Sequence, residues 1–190
     1  MGRPRSFDTD TALDAAIRAF AEHGYEGTSA QMLTKALGIG RQSLYDTFGD
    51  KRGLYLAALS RYTDANVTRH LAVLRAQKRA TKALMELFTQ FVQEASDARA
   101  CMGVAATVEF GCRDAEVLAI NASAAARLVK GLAGVVEIGQ RDGEFAGDID
   151  PVEAAHHLVG ALSSIRLAAR GGASIRSMRG IATLALRALR

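Results

Sequence analysis

Two prolines occur in 190 residues, Pro4 and Pro151, so residues 5–150 contain none. Proline removes a backbone donor and its ring clashes with the preceding helical turn, so a long proline-free reach lets helices run uninterrupted. With an apolar fraction of 49%, this favours an all-α fold over a turn-rich β fold. The length accommodates one large domain or two small ones, and either buries a substantial core. The start MGRPRSFD is basic with no apolar run behind it, and no charge-free apolar stretch of about eighteen residues is read from the chain. Neither a secretory signal nor a transmembrane span is therefore expected. Two cysteines, Cys101 and Cys112, are too few for a disulfide framework, which makes a reducing cytoplasm the expected compartment. If one helix carries both, about 16 Å separates them, beyond bridging distance.

Start and stop signals divide the chain into helices. Leu13, Ala16, Ile17 and Phe20 recur at helical spacing between a cap at Asp8 or Asp10 and a stop at Gly24. A second start follows at Thr28-Ser29. Thr28 with Gln31 forms a capping-box pattern and Ser29 is a cap one residue on; both remain open. Met32, Leu33, Ala36 and Leu37 then run to Gly38. Only Gly38 to Gly40 separates that stop from Arg41 to Phe48, with Leu44 and Phe48 on one face. Two short helices joined by a glycine-containing turn predict a helix-turn-helix. Asp50 caps a long connector from Lys51. Further on, Leu84, Leu87, Phe88, Phe91, Val92 and Ala95 form a regular stripe. Met102 to Phe110 is apolar nearly all round and reads as a central helix. Asp114 to Gln140 is Ala-rich, Asp150-Pro151 opens a helix to about Arg170, and Ser174 caps a last helix.

The net charge of +4 permits nucleic-acid binding without localising it. Residues 1–52 carry seven Lys or Arg and seven Asp or Glu. The expected DNA-binding region is thus neutral, and its case rests on where the charges sit: arginines in the tail and Arg41, Lys51 and Arg52 around the second and third helices, acids mainly on the first.

From Phe7 to Leu59 the chain resembles the DNA-binding domain of the TetR/AcrR family of bacterial regulators. Phe20 to Gly24-Tyr25, Thr28-Ser29, Leu37-Gly38-Ile39, and Leu44-Tyr45 with Phe48 and Lys51 carry the resemblance in order. It covers about the first third of the chain; the rest resembles the family only in its succession of helices. With Leu44 and Phe48 facing inward, Gln42, Ser43, Tyr45 and Asp46 point outward into a major groove and Arg41 can reach a base edge. The resemblance implies phosphate contacts from Tyr45, Thr47 and Lys51, and from Thr28 and Ser29 at the exposed amides of the second helix. It places Gln31 where a base-reading side chain can sit. The chain departs from the family at Gly40, Asp46 and Thr47. Asp46 would be repelled by phosphate, so it must accept from a cytosine amino group, pair with a neighbouring Arg, or stand clear. Gly2-Arg3-Pro4-Arg5 looks like an AT-hook core that would set Arg3 and Arg5 in a narrow minor groove, with a disordered tail as the alternative.

The expected organisation is an N-terminal three-helix unit over residues 1–50 and a helical effector-binding and dimerisation unit over 51–190, with a connector at 51–76. Phe88, Phe91, Val92, Met102, Val104, Val108 and Leu118, with Thr107, Glu109, Asn121 and His156, are the candidate lining of a pocket for a small hydrophobic effector; a filled core is the alternative. Glu109, an acid in an apolar run, is either a ligand anchor or a paired structural group. Leu158, Gly160, Ala161, Ser164, Leu167 and Ala168, with Met178, Ile181, Leu184 and Ala185, are the candidate dimer surface. No metal or cofactor is expected. No H-E-x-x-H, G-x-S-x-G, P-loop or G-x-G-x-x-G occurs, and His156-His157 point about 100° apart on a helix, so no enzyme is expected. The expected function is a homodimeric repressor of near-palindromic double-stranded operator DNA, released by a small molecule, with no membrane partner. An α-helical ligand-binding or catalytic protein, and an effector-independent architectural DNA protein, are the alternatives.

Overall fold

The computed structural model describes residues 7–97 and 101–190. These residues form nine α-helices and no strand: α1 (Thr9–His23), α2 (Ala30–Leu37), α3 (Arg41–Phe48), α4 (Lys51–Arg75), α5 (Ala80–Asp97), α6 (Met102–Phe110), α7 (Ala115–Arg141), α8 (Pro151–Arg170) and α9 (Ile175–Arg187). Side-chain caps open most of them. Asp8 accepts from Asp10 N at 3.0 Å, Asp50 from Gly53 N at 2.7 Å, and Asp150 from Val152 N and Glu153 N, each at 2.9 Å, just ahead of Pro151. Each such cap contributes about 1 kcal/mol. At α2 the choice falls on Ser29, whose Oγ accepts from Met32 N at 3.1 Å. Thr28 turns inward instead and donates from Oγ1 to Gly24 O at 2.5 Å.

Two apolar clusters divide the interior. One gathers α1, α2 and α3 around Phe20, Leu33 and Leu44, and it takes in Leu54, Tyr55, Ala58 and Leu59 from the first turns of α4. Met102 and Ala106 of α6 and Val117 of α7 complete it. The other joins α5, α7, α8 and α9 around Leu84, Leu87, Phe88, Leu132, Leu158 and Ile165, with Leu74 reaching in from the far end of α4. Helix α4 therefore serves both. The expectation of a wholly central α6 is corrected: Met102, Ala105 and Ala106 are buried, but Val108 is 71% exposed. Helix α7 is by length and composition apolar enough to cross a membrane, although Arg127 and Lys130 interrupt it. It packs against α4, α5, α6 and α8.

Charged pairs tie the elements together. Arg61 of α4 donates to Asp10 at 3.0 Å and Asp14 at 2.9 Å, so acids of α1 are answered from within the fold. Glu94 of α5 holds Arg166 of α8 at 2.5 Å and Arg69 of α4 at 3.0 Å. Burial pushes the Glu94 carboxyl upward, but the adjacent His70 ring and the charges of Arg166 and Arg69 outweigh it and hold the group at about 2.

Because that value lies below the ordinary one of about 4.3, the stabilisation is complete above the ordinary value and is lost as pH falls toward 2. Glu94→Gln, which leaves the buried Arg166 without its counter-charge, should cost about 3 kcal/mol at neutral pH in urea unfolding. The gap between wild type and variant should close as pH is lowered through that window.

Candidate nucleic-acid interface and effector cavity

Helix α3 is seated by Leu44, which is 1% exposed, and this fixes which side faces out. Arg41, Gln42 and Asp46 are exposed, and Ser43, Tyr45 and Thr47 are half-buried at the margins of that face. The Arg41 guanidinium lies 5.5 Å from the Tyr45 ring centroid. Gln42 Nε2 donates to Asp46 Oδ1 at 2.8 Å, so the partner of Asp46 is an amide one turn back rather than an arginine. Ser29 and Gln31 are exposed at the start of α2. Lys51 Nζ lies 4.3 Å from the Tyr25 ring centroid, a cation–π contact that orients it at the start of α4. Thr28 is corrected: it is fully buried and both its backbone N–H and its hydroxyl are spent within the fold, on Tyr25 O and Gly24 O. Arg3 and Arg5 lie outside the described residues.

Behind this face, the turn between α1 and α2 is held by a residue far away in sequence. Glu109 of α6 accepts from Tyr25 N at 2.8 Å through Oε2 and from Glu26 N at 2.7 Å through Oε1. Gly24 makes room for it. Its φ is +74°, and a Cβ there would stand 3.1 Å from Glu109 Oε2, so other residues meet both backbone strain and crowding. Around the junction Tyr25 packs at 5.0 Å from Tyr55 and 5.4 Å from Phe110, spacings at which ring edges meet ring faces favourably. A second strut, Arg52 to Asp114 at 2.5 Å and to Glu116 at 2.5 Å, joins the starts of α4 and α7. The hydrogen bonds from Arg52, followed by the Val117 amide, hold the Asp114 carboxyl down at about 2. Glu109 is thus a structural junction, the second of the two roles open to it.

On the other side of α6 a cavity of about 480 Å³ lies among α4, α5, α6, α7 and α8. Phe91, Val104, Thr107, Val108 and Asn121 stand on its wall, as the sequence suggested. The remaining assignments are corrected. Phe88 and Val92 are packed into the helical core and Met102 into the N-terminal one. Glu109 faces the α1–α2 turn, Leu118 is 48% exposed and His156 is exposed. Sequence reasoning missed Val67 and His70 of α4 and Leu162 and Arg166 of α8, which line the cavity. The signal was present: Thr63, Val67, His70 and Leu74 form a buried stripe at helical spacing. A wider groove of about 1390 Å³ along α4 is lined by charged Asp14, Arg61, Asp64, Arg69 and Glu94. The apolar cavity suits a small organic ligand better.

Of the dimer candidates, Leu167 and Leu184 are 57% and 65% exposed; Gly160 and Ser164 are also exposed, and Ala168 and Ile181 half-buried. Leu158, Met178 and Ala185 are corrected, being part of the chain's own core, and Ala161 is 91% buried with them, at 9% exposure. Val152 and Ile175 join the exposed apolar set unforeseen. Cys101 and Cys112 are free and flank α6 rather than sharing a helix.

A short exposed helix braced at its back by a three-helix core, joined by α4 to a larger cavity-bearing bundle, defines the architecture of a helix-turn-helix regulator. Residues 12–58 match the bacterial regulatory proteins of the tetR family, and residues 78–182 match the tetracyclin repressor-like C-terminal domain. The chain belongs to the TetR family of bacterial regulatory proteins. It is 41% identical over 112 residues to the uncharacterized HTH-type transcriptional regulator YezE of Bacillus subtilis (strain 168), covering 57% of this chain and 58% of that protein. It is 40% identical over 84 residues to the HTH-type transcriptional repressor ComR of Escherichia coli (strain K12), covering 44% of this chain and 40% of ComR. The match thus spans about half the length of these curated relatives. A cysteine mutant of the TetR family regulator CifR, solved with 26 bp double-strand operator DNA, superposes with a TM-score of 0.83 at 29% identity over 100% of both chains.

Removing the Glu109 carboxylate should free the turn it holds. Glu109→Ala is expected to lower stability by about 1–3 kcal/mol in urea unfolding and to speed amide hydrogen exchange at Tyr25 and Glu26. Unchanged exchange at those two amides would mean the junction is held by other contacts.

Proposed function

We propose that the protein is a homodimeric transcriptional repressor that grips a near-palindromic operator with α3 and releases it when a small, largely apolar effector fills the cavity among α4–α8. The single observation that carries the DNA-binding part is the outward face of α3, with Arg41, Gln42, Ser43 and Tyr45 set around the buried Leu44. The operator-bound CifR, similar over the whole chain, supports it. In this reading Arg41 and Gln42 meet base edges, Gln31 and Ser43 border them, Ser29, Tyr45, Thr47 and Lys51 hold phosphates, and Arg3 and Arg5 reach the minor groove. Asp46 steadies Gln42 rather than approaching phosphate.

Residues 1–50 form the DNA-binding unit in this proposal and 51–190 the effector and dimer unit, with 51–76 as connector. Exposed Leu167 and Leu184, beside Ser164 and Ile181, pack on their counterparts in a second copy. A two-fold pair sets recognition helices about 34–36 Å apart, one turn of DNA. The six arginines between Arg166 and Arg190 stay at the rim or meet acids, as Arg166 does. The relatives are named as transcriptional regulators, and the protein acts by binding in the cytoplasm, without catalysis, cofactor or membrane.

Two experiments test the assignments. Arg41→Ala or Gln42→Ala should cost about 1–3 kcal/mol on the operator and relax sequence preference, whereas Lys51→Ala should weaken all DNA and flatten the salt dependence. Equal losses on operator and random DNA in both variants would remove the division into base and phosphate contacts. Leu184→Glu, a change at an exposed side chain, should yield a folded monomer in sedimentation at micromolar concentration with weakened operator binding. A dimer that survives it excludes this surface.

A further inference from the structure

The cavity carries more information than its size, because a buried histidine and arginine interrupt its largely apolar lining. Val67, Phe91, Val104, Leu128 and Leu162 give it an apolar body. His70 of α4 stands on its wall against Phe91 of α5, only 3% exposed. Its Nε2 is buried and has no hydrogen-bond partner among the described residues. Glu94 Oε2 lies at 3.7 Å, near enough for the ring to act on its charge but too far for a hydrogen bond. A buried polar atom left unpaired is costly, and a ligand that completes the bond recovers that cost.

The charges around His70 select what kind of ligand this is. Glu94 is shared by two guanidinium groups, Nη2 of Arg166 at 2.5 Å and Nη2 of Arg69 at 3.0 Å. The cluster therefore holds one positive charge in excess before any proton on His70 is counted, with Arg166 on the cavity wall and the half-exposed Arg69 in the adjoining groove. Arg166 is 9% exposed, lines the cavity and lies 4.8 Å from the Phe91 ring centroid. An amine would add a like charge beside the Arg166 guanidinium. A hydrocarbon would leave Nε2 unpaired. Facing the Glu94 carboxylate, Nε2 is the nitrogen that carries the proton, and a ligand carboxylate supplies both an acceptor for it and the negative charge that balances the excess. We propose that the cavity binds amphipathic organic acids, with the carboxylate at His70 and Arg166 and the apolar body against Phe91, Val104 and Leu128. This rests on reading the cavity as the effector site and adds the headgroup that the site selects.

Isothermal titration of the full chain at neutral pH with matched probes tests it: octanoate, octanamide and octylamine, and 4-phenylbutyrate with its amide and its amine. The acids should bind about tenfold or more tightly than the amides, with the amines weakest. His70→Leu should lower acid affinity by about tenfold and the amides, whose carbonyl accepts from Nε2 without carrying charge, by less, while His70→Gln, which keeps a donor, should recover part of the loss. Circular dichroism verifies that both variants are folded. Equal binding of acids and amides overturns the headgroup assignment, and so does an acid preference that survives His70→Leu. Failure of every probe to bind also overturns it. Release of operator DNA by neutral apolar compounds in any of these cases would leave the repressor reading standing.

Discussion

Glu109 accepts two backbone hydrogen bonds, from Tyr25 and Glu26, and in doing so fastens the cavity-bearing bundle to the DNA-binding head. Both bonds are charge-assisted, roughly twice as strong as neutral ones, and both reach a turn that has no ladder of its own. Gly24 leaves space for the carboxylate, Tyr25 packs on Tyr55 and Phe110, and Lys51 lies over the outer side of Tyr25. Without this anchor the α1–α2 turn would lose its hydrogen bonds to α6, and the head would be held to the rest of the molecule by its apolar contacts with α4, α6 and α7 and by the Arg61 pairs.

Helix α6 consequently has two occupied sides. Met102 and Ala106 pack in the N-terminal core, and Glu109 bonds the turn, while Val104, Thr107 and Val108 stand on the cavity wall. A ligand that shifts α6 by even a fraction of an ångström must either carry the head with it or strain the Glu109 bonds, because packed interiors are bistable rather than continuously soft. The energy required is modest. A tenfold change in operator affinity needs about 1.4 kcal/mol of preference for one arrangement over the other. The strut from Arg52 to Asp114 and Glu116 makes α7 and α4 move with the same junction, so head and bundle are joined at two neighbouring points rather than through the connector helix alone.

Local chemistry was legible in the sequence and tertiary partners were not. Asp8, Asp50, Ser174 and the Asp150-Pro151 pair announce helix starts because capping involves residues only two or three positions apart. The same local grammar, with the Gly38 to Gly40 turn and the family resemblance, gave the helix-turn-helix. Thr28 shows where that grammar ends. A capping-box pattern and a real cap compete within one residue, and the fold resolved them by burying Thr28 against Gly24. Glu109 stood out as an acid in an apolar run, but its partners lie 83 and 84 residues away and no periodicity reports them. His70 was passed over because α4 reads as a connector, although Val67 and Leu74 mark the same buried stripe. Phe88 and Met102 fell on correct apolar faces, yet periodicity alone does not separate a filled core from a cavity wall.

Coupling through Glu109 is best tested by the free energy that links cavity and operator. Operator affinity is measured with and without a cavity ligand such as octanoate at saturation, in wild type and in Glu109→Ala, and ligand affinity with and without operator closes the cycle. The junction described above requires wild type to show the same coupling from both directions. It requires Glu109→Ala to lose most of that coupling while ligand affinity for the DNA-free protein changes little. A variant that responds to the ligand as wild type does would contradict the role given to Glu109 and leave the coupling to α4, the Arg52 strut and the apolar packing of α6.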